Sequence, residues 1–163
     1  MRNLVLIVFI MISIPVLVVA QKTNETNIEA INSVSEKQQL EEQLRTLYGQ
    51  FLESISEGDV ETYAEITTNK YVFTRGNRAE VLTKEQRLEQ LQTEAVYVES
   101  FNITSARFSI YKNSAIGNFD LEEKDVFQGT EYNHLFRVTV SFVKTIDKGW
   151  KIAAVHSTPV SKH

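Results

Sequence analysis

An α+β fold, with helices first and a run of antiparallel strands after them, is what this sequence predicts. Three observations carry the prediction. A helical period runs from Leu40 to Ile55, a helix-opening signature stands at Thr83, and after Thr93 the period changes to two and persists almost to the end. Composition agrees: 163 residues, 42% hydrophobic and 23% charged with only two Pro and six Gly, are the proportions of a globular chain and not of a disordered or collagenous one.

The first twenty residues are a secretory signal. One positive charge at Arg2 precedes the apolar run Leu4–Val19, and Val18-Val19-Ala20 offers small residues where a signal peptidase reads. The rival, an uncleaved anchor, needs about 20 apolar residues to span a bilayer, and Pro15 interrupts a run that is already shorter. The expectation is cleavage after Ala20, a secreted or periplasmic protein, and no stable membrane anchor thereafter. Residues 21–35 are polar and read as a flexible lead-in with at most one helical turn. A single domain is expected over 36–160. Asn24-Glu25-Thr26 and Asn102-Ile103-Thr104 are formal glycosylation sequons, meaningful only in a host that glycosylates.

The elements follow in order. Leu40, Leu44, Leu47, Tyr48, Phe51, Leu52 and Ile55 recur at three- and four-residue steps and define one apolar helix face, which Gly58 ends. Asp59 caps a short helix from Val60 to about Thr67, with Tyr63 and Ile66 inward. Tyr71–Thr74 reads as a strand and Gly76-Asn77 as a turn. Thr83-Lys84-Glu85-Gln86 is a capping box opening a third helix that buries Leu88 and Leu91. Strands are then expected at 96–104, 106–111, 114–121, 135–145 and 150–158, linked by Lys112-Asn113, a charged loop through Gly129, and a tight turn at Asp147-Lys148-Gly149.

Several functions are excluded early. A formal charge of −4, from 17 basic and 21 acidic side chains, gives no field to hold a polyanion, so nucleic acid is not an expected partner. With no cysteine there is no disulfide scaffold, thiol nucleophile or zinc finger. No phosphate loop, GxGxxG, HExxH or three-histidine set occurs, so no cofactor and no metal are expected. The cluster Glu122, Glu123, Asp125 falls in the expected charged loop and reads as a solvated face, with weak calcium binding its alternative.

Taken in order, LYGQFLESISEGDVETY, YVFTRGN, VLTKEQRLEQL and RVTVSFVKTIDKGWKIAAVHSTPV resemble the nuclear transport factor 2-like superfamily, in its SnoaL-like, domain of unknown function 4440 branch, over about Leu40 to Val160. The resemblance implies a cone: a strongly curved antiparallel β-sheet wrapped around three N-terminal helices, an α+β roll with a pocket at its open end, commonly paired into homodimers through the sheet. It does not fix a function, because the same cone serves isomerases, cyclases, epoxide hydrolases and binders. The steroid-isomerase relatives use a Tyr, an Asp and a second acid to move a proton beside a carbonyl. Counting from Gly58 and from the last hairpin puts Phe51, Arg75 and Ser141 at those three positions, so the set is missing.

What remains could still form a polar pocket. On the last strand, alternation groups Trp150, Ile152, Ala154 and His156, which resembles the family's cavity-facing set. On the preceding strand Arg137, Thr139 and Ser141 share one face, while Phe136, Val138, Val140 and Phe142 share the other. If a partner subunit covers one face, the apolar set is an interface and the Arg137 set lines the cavity; if only one side is covered, the apolar set is core and Arg137 is solvated. The resemblance favours the first. Tyr48, Phe51, Tyr63, Phe73 and Arg75 complete the expected ligand-binding set. His156 is the candidate catalytic residue, a general base or ligand anchor that titrates near neutrality, against the alternative of a structural histidine. The reading is a secreted, homodimeric protein that binds a small apolar or carbonyl-bearing molecule. Its alternative is a small lyase, isomerase or hydrolase in which His156 is the base and Arg137 stabilises an anion.

Overall fold

The structure is a computed structural model that describes residues 16–76, 80–93, 98–127, 130–146 and 149–160. The chain divides into two compact units, Met1–Gln39 and Leu40–His163. The elements are α1 (Val16–Glu57), α2 (Val60–Ile66), β1 (Thr67–Arg75), β2 (Glu80–Thr83), α3 (Lys84–Gln92), β3 (Ser100–Ile110), β4 (Ser114–Phe127), β5 (Thr130–Thr145) and β6 (Gly149–Pro159). Among the described residues no helix is long and apolar enough to cross a membrane. Most of the expected leader, residues 1–15, lies outside the described residues. From Val16 the chain is helical through the stretch read as a lead-in, where sequence predicted one turn at most.

The helix boundaries follow local chemistry. Gly58 takes φ +67°, a left-handed conformation that suits glycine, and ends α1. The Asp59 carboxylate accepts from the backbone N–H groups of Glu61 (3.1 Å) and Thr62 (3.0 Å), starting α2. At α3 the expected capping box is complete: Thr83 Oγ1 accepts from Gln86 N, and Gln86 Oε1 accepts from Thr83 N at 2.8 Å. Lys84 then donates to the carbonyls of Ala64 and Thr67, which ties the start of α3 to the end of α2.

Six strands form one curved sheet in the order β2-β1-β6-β5-β4-β3. All neighbours are antiparallel except β1 and β6, which run parallel. The short strand β2 has no sequence signal, because only Leu82 of its four residues is buried. The two strands expected at 96–104 and 106–111 are one, β3, with a register shift between Ile103 and Ser105. The largest correction concerns the charged loop. Residues 122–127 and 130–134 continue β4 and β5 in unbroken register, from Glu122 opposite Leu135 to Phe127 opposite Thr130. Charge pairs hold what apolar alternation does not: Lys124 Nζ of β4 lies 3.0 Å from both Glu131 of β5 and Glu99, the residue before β3.

The α1 face found by periodicity, Leu44, Tyr48, Phe51, Leu52 and Ile55, is buried against the inner face of the sheet, where Phe119, Leu121, Phe136, Val138, Val140, Phe142, Ile152 and Val155 are buried in turn. Each such side chain contributes about 1.5–3 kcal/mol when fully buried. Phe136 to Phe142 is therefore core. The sheet is filled by the chain's own helices, so this strip is no argument for a second subunit.

Candidate ligand-binding site

The inner face of the sheet carries a small cavity, lined by Tyr48, Phe51, Leu52 and Ile55 of α1, Phe73 and Arg75 of β1, Arg87 of α3, Val98, Phe101 of β3, Leu121 and Glu123 of β4, Val138 of β5, and Val155 and Ser157 of β6. Its volume is about 40 Å³, room for about three water-sized molecules. The walls are mostly aromatic: Tyr48 stacks on Phe51 at 5.9 Å between centroids, and Phe51 meets Tyr63 at 5.1 Å.

The polar groups come from three elements. Arg87 is only 3% exposed, since it lies one helical turn before the buried Leu91 and shares its face. Its Nη1 donates to Gln90 Oε1 at 2.7 Å, but its Nε is buried with no partner among the described residues. Arg75 shares the inner face of β1 with Tyr71 and Phe73. The two guanidiniums converge on one ring, Arg87 4.6 Å and Arg75 5.9 Å from the Phe73 centroid. Behind them the Tyr63 and Tyr71 hydroxyls are also buried, Tyr63 interacting with both Tyr71 and Arg87. Burial pushes both phenols up, as it does Tyr48.

Glu123 is the acid of the cavity. It stands on the inner face because β4 alternates Ala115, Phe119 and Leu121 inward, and Glu123 and Asp125 continue the series. Desolvation pushes its carboxyl up to about 7; Asp125 adds to the rise, while Arg75 and Arg87 oppose it. Asp125 is raised as well, mainly by desolvation, and lies 3.7 Å from His134, which is part of β5 and not beside a loop. Glu122 faces outward and accepts from Asn102 Nδ2 at 3.0 Å. The acidic cluster is thus neither a loop nor one solvated face. Among the described residues no group of three or more His, Asp or Glu side chains is arranged to hold a metal.

The sequence-derived candidates divide. Tyr48, Phe51, Phe73 and Arg75 line the cavity; Tyr63 packs behind Phe51; Ile152 is core, and Trp150 is buried beside an open groove toward α2. Arg137, Thr139, Ser141, Ala154 and His156 do not reach it. On β5 the inner positions are Val138, Val140 and Phe142, so Arg137, Thr139 and Ser141 lie on the outer face: Arg137 pairs with Asp120 at 3.2 Å with 70% of its side chain exposed, and Thr139 donates to Asn118. On β6 the register skips from Phe142 opposite Ile152 to Ser141 opposite Ala154, a β-bulge that reverses the alternation. Val155 and Ser157 therefore point inward, while His156 is exposed, its Nε2 3.1 Å from Thr158 Oγ1.

Residues 44–161 match the SnoaL-like domain, and the chain belongs to that family. No curated protein is similar enough in sequence to match it. Among solved structures it is similar to a nuclear transport factor 2-like superfamily protein from Salmonella enterica serovar Typhimurium (17% identity, 77% of this chain and 94% of that one, TM-score 0.68). It is also similar to the CaMKII hub of S. rosetta (12% identity, 72% and 94%, TM-score 0.64) and to a candidate ketosteroid isomerase from Parabacteroides distasonis (15% identity, 74% and 88%, TM-score 0.58). At these identities the likeness defines the nuclear transport factor 2-like fold.

Proposed function

We propose that this chain is a secreted or periplasmic small-molecule-binding protein whose interior cavity holds a compact ligand with a hydrogen-bond-accepting head group. The observation that carries the reading is Arg87, a buried guanidinium with an unpartnered Nε in an otherwise aromatic cavity. A buried donor without an acceptor costs about 1–3 kcal/mol, and a ligand carbonyl or carboxylate would recover it. Export is supported by the charged start and apolar run of residues 1–20. We also propose a homodimer through the outer sheet face; a fold neighbour named as a hub supports it. Of the three positions counted for a steroid-isomerase set, Phe51 and Arg75 line the cavity and Ser141 lies on the outer face of β5.

The test is chemical-shift mapping with a panel of short ketones, amides and acids. Shifts are expected at Tyr48, Phe73, Arg87 and Glu123, with His156 and Arg137 unmoved. Shifts confined to the outer face would overturn the reading. One observation favours a second reading, proton-transfer catalysis: Glu123 titrates where a general acid or base works best at neutral pH. Turnover of any panel compound that Glu123→Gln abolishes would establish it.

A further inference from the structure

We propose that the two hairpin turns at one end of the sheet, around Tyr111 and Ile146, dock the protein reversibly on an anionic lipid surface. The inference does not involve the interior cavity and goes beyond the binding reading above.

The two turns stand side by side. Tyr111 N donates to Ser114 O and closes the turn between β3 and β4, while Thr145 Oγ1 donates to Gly149 O across the turn between β5 and β6. Lys144 N donates to Asn113 O, which joins one turn to the other. Gly149 takes φ +76° and supplies the left-handed residue of the second turn. Thr145 and Gly149 thus meet the turn's chemistry, and it asks nothing of Ile146. Ile146 is nevertheless fully exposed, and Tyr111 on the neighbouring turn is more than half exposed. One exposed apolar side chain is ordinary. Here two occupy adjacent tips, with exposed lysines beside them, Lys112 next to Tyr111 and Lys144 two residues before Ile146.

The charge of this end runs against that of the chain. Beside the second turn a groove of about 490 Å³ adds Lys70 of β1 and Lys151 of β6, and no carboxylate lines it among the described residues. Lys151 donates to a neutral acceptor, the Glu65 carbonyl. Lys70, Lys112, Lys144 and Lys151 therefore gather at one end of a protein whose formal charge is −4. Asp147 and Lys148 lie outside the described residues and cancel in charge.

The pairing of lysines with apolar tips selects the partner. A soluble phosphate or an acidic polypeptide would engage the lysines and leave Ile146 in water. A bilayer with anionic head groups attracts the lysines and also takes Ile146 into its interface, with the Tyr111 ring at head-group depth. Each lysine near such a surface strengthens attachment roughly fivefold, and the attraction is screened by salt. Docking of this kind is peripheral, since among the described residues no helix is long and apolar enough to cross a membrane.

Flotation with vesicles of phosphatidylcholine, pure or mixed with phosphatidylglycerol, at low and high salt tests this. The chain is used from Gln21, because the apolar run Leu4–Val19 would bind lipid by itself and the buried core among the described residues begins at Leu44. Expected is binding to the mixed vesicles only, lost at high salt and weakened roughly fivefold by each of Lys112→Gln and Lys144→Gln. Ile146→Ser should weaken it by about tenfold or more. Thermal unfolding should stay unchanged in all three, because the positions are exposed; should one variant unfold, the other two decide. No flotation of the folded protein, equal flotation with pure phosphatidylcholine, or binding indifferent to the substitutions overturns the proposal. Binding of polyglutamate or inorganic phosphate as tight as that of the vesicles, and indifferent to Ile146→Ser, overturns the lipid and assigns the lysines to a soluble anion.

Discussion

The inner face of β4 carries two chemistries on one alternation. Ala115, Phe119 and Leu121 are sealed, Phe119 lying 4.3 Å from the Tyr48 ring and 5.5 Å from Phe108. A few residues on, Glu123 and Asp125 occupy the same face and keep their carboxyls. The pleat decides which way a side chain points, and the covering layer decides what it meets. Over Phe119 that layer is the aromatic face of α1; around Glu123 it includes two arginines from β1 and α3. The difference teaches that the cavity is a property of the lid as much as of the strand.

The largest effect is expected in the sealed half. Phe119→Ala removes a ring that is 1% exposed and touches both α1 and β3, so it should cost about 3–5 kcal/mol in urea unfolding. A loss below about 1 kcal/mol, the range of surface changes, would mean that α1 does not seal this half and would erase the contrast.

The polar half should respond to pH instead. The folded carboxyl of Glu123 titrates at about 7, above its ordinary 4.5, so the folded protein holds this proton more tightly than the unfolded chain. Its contribution to stability is complete below about pH 4.5 and disappears as pH rises through 7. Glu123→Gln should match wild type at pH 4 and exceed it by about 1–3 kcal/mol at pH 8. Thermal unfolding at the two pH values measures this; a constant difference would show that Glu123 is not desolvated by its cavity.

The sequence made the frame legible where one residue type has one meaning. Gly58, Asp59 and the Thr83 capping box act within a few residues of themselves, and the α1 stripe needs only its own period. It made the polar site illegible for two physical reasons. Glu123 and Asp125 continue the alternation of Ala115, Phe119 and Leu121, and following that period past Leu121 would have placed them inward, but carboxylates next to Lys124 look like a solvated loop. Arg87 sits one turn before Leu91 and by spacing belongs to the buried face, yet a cation there is expected in water. The error on β6 is of another kind. A bulge at Ala153 and Ala154 inserts one residue, and counting by twos from Trp150 then puts His156 on the wrong side. No local composition marks that insertion.

The smallest effects are expected on the outer face, where His156 and Arg137 lie. His156→Ala and Arg137→Ala should each change monomer stability by less than about 0.5 kcal/mol, because the Arg137–Asp120 pair is solvated and His156 is exposed, with a hydrogen bond to Thr158. The same face separates stability from assembly. Ser141 lies outward on β5 opposite Ala154 on β6, near the middle of the sheet, so in a dimer formed through this face an added cation would meet its own copy. Ser141→Arg should therefore leave thermal unfolding of the domain nearly unchanged and convert the sedimenting species from dimer to monomer. If wild type already sediments as a monomer at high concentration, the dimer proposal fails. The outer face is then a solvated surface, and ligand chemistry is confined to the inner face among Arg75, Arg87 and Glu123.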